Sequence, residues 1–356
     1  ATSATHQTAV GYYALSANQT GAECTAVGYQ ALANTTHWNN TAVGSLAATS
    51  LVAGHSCTAV GYKAMQSGTG ATNNTAVGTS AMQDCNSAST TQTTAIGVGA
   101  CAGSLAGYGN TAVGDGTMGV ATSAFENTII GRSAGDTIST GDYNVAVGTH
   151  ALGALTDGSD NTAIGKDALL LTTGGSNTAI GHTALDSVTT GAYNVGLGKL
   201  AGANITTGDE NVCVGYYAGN DAGVINITTE DQRGVFGSHS MTNLYVKVAW
   251  TVVSDARDKM NFEEVPHGLA FVKDLQPIKF NFKKSRENAT PHGNARYGFK
   301  AQDILALEGD NPVIIDNENE DHLKYQGEAL VPVLVNAIQE LSAEVEELKQ
   351  QLNQEE

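Results

Sequence analysis

The sequence predicts a mainly β protein: a parallel β-roll, or β-solenoid, of about 13 rungs, followed by a small α+β domain that ends in a coiled-coil helix. Three observations carry this. A short phrase recurs thirteen times between Thr8 and Gly215, at a step of 16 or 17 residues with a single 19. The composition breaks sharply near residue 253. The final stretch spaces its apolar residues alternately by four and three.

The phrase is Thr8-Ala9-Val10-Gly11, then Thr25-Ala26-Val27-Gly28, and so on to Val212-Cys213-Val214-Gly215. Self-similarity at this period means a stack of units, none of which can bury a core alone. Within each phrase the residues alternate, so Thr or Val and Val, Ile or Leu share one face while a small residue takes the other. The glycine turns the chain. Three residues later comes Ala in twelve of thirteen units, often followed by Leu or Met. A second glycine often precedes the phrase, as at Gly141, Gly158, Gly174, Gly191 and Gly208, which suggests two short strands and two tight turns per rung. Rungs about 4.8 Å apart would make the stack roughly 60 Å long.

Asn precedes the phrase in nine units, among them Asn40, Asn74, Asn110, Asn161 and Asn211. Stacked amides can hydrogen-bond from rung to rung, so this column reads as a structural ladder rather than a sugar-binding row. The small face is Ala in ten units and Ile129, Gly196 or Cys213 in the others. A face kept this small along the whole stack is expected to lie against a neighbouring chain; the alternative is that Ala merely fits a narrow rung. Cys24 and Cys57 occupy the Asn slot two rungs apart, beyond disulfide reach. With Cys85, Cys101 and Cys213 they make an odd set of five, read as packed thiols.

Residues 223 to 240 lose the repeat, and Leu244 to Val253 reads as a strand leading into Ser254. The expected divisions are therefore 1–222, a connector 223–253, and 254–356. Residues 1–253 carry 37 of the 42 glycines, all the cysteines and no proline, whereas 254–356 carry 31 charged side chains and all five prolines. In the last division, Gly268 to Leu275 and Ala301 to Leu307 read as helices, Pro277 to Phe282 and Arg296 to Phe299 as strands. Val313 to Asp316 and His322 to Tyr325 read as a hairpin. A helix over about 330–354 carries Leu334, Ile338, Leu341, Val345, Leu348 and Leu352 as a heptad seam. The alternative for that helix is packing on its own domain.

With 17 basic against 35 acidic residues the net charge is -18, which argues against nucleic acid or an anionic membrane as partner. No apolar run reaches the length of a membrane helix and no basic-then-apolar leader opens the chain, so no membrane insertion is expected. The opening residue is Ala1, which suggests a piece of a longer protein. The nine histidines fall in non-equivalent slots, so neither a metal site nor a cofactor is expected.

The thirteen phrases resemble the head repeats of trimeric autotransporter adhesins and similar repeats of phage tail-fibre proteins. The resemblance covers about residues 1–220 and implies a left-handed β-roll wound as a trimer. The unit is nearer seventeen residues than the shorter unit of those heads, and the barrel anchor of the autotransporters is not in this sequence. The segments Ser254 to Lys259, Leu275 to Phe280, Tyr297 to Gln302 and Ala337 to Leu341 closely resemble the self-cleaving intramolecular chaperone domain first recognised in endosialidase tail spikes. That resemblance covers 254–356. It implies a domain that trimerises, drives folding of the fibre ahead of it and cuts itself off. Carried over, Ser254 is the nucleophile, Lys259 its base and Val253-Ser254 the scissile bond.

A Ser and a Lys five apart can form a nucleophile and base if the lysine is desolvated, since a free lysine has a pKa near about 10.4. Asp255, Arg257 and Asp258 read as structural ion pairs. The expected setting is a homotrimeric fibre or spike of the virion, made in the host cytoplasm, with a host-surface receptor or glycan as partner. Two alternatives remain. In one the roll is a polysaccharide depolymerase using Asp142, Asp160, Asp209 and Glu210, which lie in equivalent turns. In the other the chain is a bacterial trimeric surface adhesin.

Overall fold

A computed structural model describes residues 5–87, 89–103, 105–221, 224–247 and 252–355. The chain divides into two compact units, Ala1–Ser238 and His239–Glu356.

In the first unit each recurring phrase is a three-residue strand, from β1 (Thr8–Val10) to β13 (Val212–Val214). Successive strands pair in parallel with equivalent residues opposed: Thr25 faces Thr41, Ala26 faces Ala42 and Val27 faces Val43. The expected parallel solenoid is the observed fold. Its sheet does not stop where the phrase does. After a two-stranded antiparallel excursion, β14 (Asn220–Asp221) and β15 (Ile225–Asn226), the strand β16 (Gly234–Phe236) returns to pair with β13 and becomes the fourteenth strand. Residues 223 to 240, expected to have left the repeat, thus contain Gly234-Val235-Phe236-Gly237, the same phrase after a longer step. Val235 takes the buried middle place.

The middle residue of the phrase points into the roll. Ala26, Ala42, Ala76, Ala95 and Ile129 are fully buried by their own chain. The small face is therefore the inside of a narrow rung, and the expectation that it meets a neighbouring chain is overturned. The outward face carries Thr and Val or Ile, with Val43, Ile96, Ile130, Ile164 and Ile180 between 37 and 42 % exposed.

The roll has one strand per rung, not two. Its other sides are built from left-handed residues, three in a typical rung, such as Glu23 (φ 57), Gln30 (φ 55) and Leu32 (φ 48). Left-handed backbone costs an L-residue about 1–2 kcal/mol. Complete burial of a Leu or Met recovers about 1.5–3 kcal/mol, and Leu32, Met65, Leu152, Leu169 and Leu185 are all fully buried at that slot. Burial outweighs the local strain there. The curl it imposes leaves no second extended segment. The glycines of the thirteen phrases from Gly11 to Gly215 adopt φ of 115 to 146, and a Cβ on Gly28 would collide with the backbone of Gly44 one rung on.

Core volume is shared between two slots. Where the left-handed slot holds Met65, Gly68 sits opposite it, and a Cβ there would lie 2.8 Å from Met65 Cγ. Where that slot is glycine, at Gly135, Gly202 and Gly219, Ile138, Ile205 and Ile227 fill the space. Other rungs fill both slots, as Leu152 with Leu155 and Leu185 with Val188 do, so the exchange is made rung by rung to keep the interior packed.

The Asn column is a ladder. Asn144 Nδ2 donates to Asn127 Oδ1 at 3.1 Å, Asn161 to Asn144 at 3.2 Å and Asn177 to Asn161 at 3.3 Å, while each backbone N–H donates to the same oxygen. Each amide also donates to a carbonyl on the following rung, as Asn127 does to Gly141 at 2.9 Å. Cys24 and Cys57 imitate this, their thiols donating to His37 O at 3.3 Å and Ala71 O at 3.2 Å. All five cysteines are free and buried.

The second unit is a small α+β assembly. Its core is Phe271, Leu275, Ile304, Ile314, Ile315, Leu330 and Val333. It comprises α1 (Leu269–Asp274), the antiparallel hairpin β17 (Ile278–Lys283) and β18 (Pro291–Gly298), α2 (Ala301–Glu308), the pair β19 (Ile315–Asp316) and β20 (Lys324–Tyr325), and α3 (Leu330–Glu355). The expected helices, hairpin and final helix are present. β18 begins earlier than expected because Pro291-His292-Gly293-Asn294 has no alternating pattern to announce a strand. The connector strand expected over Leu244 to Val253 is absent from 244–247 and 252–253, and 248–251 lie outside the described residues.

Helix α3 has two apolar faces. Leu330, Val333 and Ala337 are buried in the unit's own packing. Leu334, Ile338, Leu341, Val345, Leu348 and Leu352 are 38 to 65 % exposed. Asn336 Nδ2 donates to His267 O at 2.9 Å, and the Glu340 carboxylate accepts Leu269 N at 2.6 Å, capping α1 from a distance. Gly268 leaves room for it, since a Cβ there would strike the Glu340 carboxylate.

Candidate functional site

Ser254 opens a tight turn. Asp255 precedes a single 3₁₀ turn, Ala256–Asp258, and accepts Arg257 N at 2.9 Å, satisfying a donor that the turn leaves orphaned. The Arg257 guanidinium grips the same carboxylate through Nε at 3.1 Å and a terminal nitrogen at 2.6 Å. That pair holds the Asp255 carboxyl below the usual carboxylate range, the side-chain hydrogen bond from Arg257 being the main cause. It is the structural ion pair expected of Asp255 and Arg257.

The turn brings together the two residues singled out by spacing. Lys259 Nζ donates to Ser254 Oγ at 2.6 Å. A base must stand within this reach of the hydroxyl it activates. Both side chains are exposed, and Val253, on the other side of the expected scissile bond, is 80 % exposed. The desolvation that a lysine base requires is therefore not supplied by the single chain.

Three carboxylates of the depolymerase alternative, Asp142, Asp209 and Glu210, make hydrogen bonds within the roll, and Asp160 joins it through its backbone N–H to Asp142 O. Asp142 Oδ1 accepts Phe125 N at 2.9 Å and Asp209 Oδ1 accepts Ala192 N at 2.7 Å, each tying a turn to the preceding rung. Glu210 accepts the Gln232 amide at 2.9 Å. Among the described residues no group of three or more His, Cys, Asp or Glu is placed to share a metal ion, and no helix is long and apolar enough to cross a membrane.

Sequence reasoning missed several residues that shape this unit. Glu308 accepts the backbone N–H groups of Val313, Ile314 and Ile315 at 2.8, 2.6 and 3.0 Å, fixing the start of β19. Arg296 donates to Thr242 O at 2.6 Å, and His292 Nε2 lies 3.3 Å from Ser240 O. The partners of Arg296 and His292 are more than fifty residues away, and those of Glu308, five to seven residues on, follow no repeating pattern, so nothing local announces them.

No curated protein matches the chain. Residues 254–311 match the family described as chaperone of endosialidase, a family of self-cleaving intramolecular chaperone domains, and the match opens on Ser254. This match behind a β-solenoid body fits a tail-fibre or endosialidase-type protein.

Proposed function

We propose that the chain is a segment of a phage tail fibre or spike that assembles as a homotrimer for host attachment. Its second unit acts as the trimerisation chaperone and then severs itself from the body between Val253 and Ser254. The observation that carries this reading is the Ser254–Lys259 contact at 2.6 Å, at the first residue of the family match.

The chemistry follows from position. Ser254 Oγ attacks the carbonyl carbon of Val253; its proton passes to a neutral Lys259 Nζ and from there to the departing amide nitrogen. The C–N bond breaks as the C–O bond forms, leaving an ester of Val253 on Ser254 with a free α-amine. Water then hydrolyses the ester to the Val253 carboxylate and restores the hydroxyl. A neutral lysine needs a desolvated site. Copies closing around the exposed turn would supply one, which ties cutting to assembly.

Assembly is supported by the apolar surface of the second unit. Besides the α3 seam, Met260, Phe262 and Tyr297 are 79, 72 and 86 % exposed, more than a self-sufficient domain leaves in water.

Intact-mass measurement of the purified chain tests the cut. The wild type yields a fragment of residues 254–356, while Ser254→Ala and Lys259→Ala each remain full length. Release of that fragment from Ser254→Ala would end this reading.

A further inference from the structure

We infer that the second unit grips the chain upstream of the scissile bond, so that cutting after Val253 and letting go of the body are separate events. The inference rests on the cleavage reading above and adds a release step to it.

The chain divides into its two compact units between Ser238 and His239, not between Val253 and Ser254. The described residues His239 to Lys247, upstream of the scissile bond, therefore belong with the unit that would be cut away. Two side chains of β18 account for this. The Arg296 guanidinium donates to the Thr242 carbonyl at 2.6 Å, and the His292 imidazole meets the Ser240 carbonyl at 3.3 Å. Both lie on one strand at i and i+4, hence on the same face, and take carbonyls two residues apart. Gly293, between them, lies beside the same residue: a Cβ built there would meet the Thr242 side chain at 3.6 Å, an ordinary packing distance. The Arg296 guanidinium also lies over the Phe282 ring, 5.5 Å from its centroid, which limits where that charge can swing.

None of these contacts involves Ser254, Lys259 or the bond between Val253 and Ser254. Breaking that bond leaves them intact. The charge-assisted bond from Arg296 is the stronger of the two. After the cut the new carboxyl terminus of the body remains docked on β18, and the lifetime of the docked state, not the chemistry, sets when the chaperone departs. Differences of this kind between variants appear in the off-rate.

The test follows the cut chain through size exclusion at successive times, with a denaturing gel of the same samples. In the wild type, fragment 254–356 appears on the denaturing gel while still co-eluting with the body. In the double variant Arg296→Ala, His292→Ala it is cut to the same extent but separates roughly tenfold faster. Arg296→Lys, which keeps a cation over Phe282, retains the fragment nearly as long as the wild type. A full chain with Ser254→Ala and an external protease site between Tyr245 and Ser254 repeats the comparison without the self-cut. A wild-type fragment that leaves as soon as it is made, or a double variant that holds it as long as the wild type, overturns the grip. Absence of self-cutting would overturn the cleavage reading instead, and the externally cut chain would still decide the grip.

Discussion

At the scale of the residue, the roll is held by side chains that look unremarkable in the sequence. A buried Asn can donate twice and accept twice, and in Asn161 all of these groups are used within the ladder. The thiols stand where a charge would be stripped of water. Burial pushes Cys57 and Cys213 up to about 11 and Cys101 up to about 12. An unfolded cysteine titrates near about 8.5. With the folded values raised, the thiols' contribution to stability is complete below that pH and is lost as pH rises through the folded values. The roll is expected to hold its stability at pH 7 to 8, to weaken progressively from about pH 9, and to resist alkylation by iodoacetamide at pH 8 until it is denatured. Unfolding midpoints across alkaline pH, with mass counts of alkylated thiols, check both. Labelling of native Cys101 at the rate of a free thiol would contradict the burial.

At the scale of the element, α3 does two jobs with one helix. Leu330, Val333 and Ala337 anchor its start to its own unit, and Glu340 reaches back to cap α1. The seam from Leu334 to Leu352 is left in water. Fewer than three heptads cannot sustain a coiled coil unaided, so the anchored first turns supply the rigidity. Branched residues alternating with Leu favour two strands by themselves, whereas the trimer proposed above needs three. Replacing Ile338 and Leu341 by Asp places charges where copies would meet and is expected to leave a monomer by sedimentation equilibrium, with self-cutting lost as well. Full cutting by a monomeric variant would separate the site from assembly.

At the scale of the whole molecule, the two units differ in how they are stabilised. The roll repeats one solution fourteen times and has a continuous buried column, while the second unit has a core of seven residues and much exposed apolar surface. If the second unit lowers the barrier to assembling the first, removing it raises the barrier to disassembly by the same route. Cut assemblies are expected to survive heating in detergent at temperatures that unfold the uncut Ser254→Ala form, as read by gel mobility. Equal resistance of the two forms would argue against a kinetic role for the cut.

The sequence by itself determined the period, the recurring strand of each phrase, the Asn ladder, the helices of the second unit and the spacing of the seam. These are local: each depends on residues within a turn or a rung of one another, or on strict repetition. Only the tertiary structure decided which face of the phrase lies inside, that β16 rejoins the sheet after a long step, and that Arg296, His292 and Glu340 reach partners far along the chain. Inside and outside depend on which way each rung curls. That curl comes from left-handed Leu, Met, Gln and Tyr residues whose own preferences oppose it, and which adopt it because burying the apolar ones among stacked neighbours outweighs the strain.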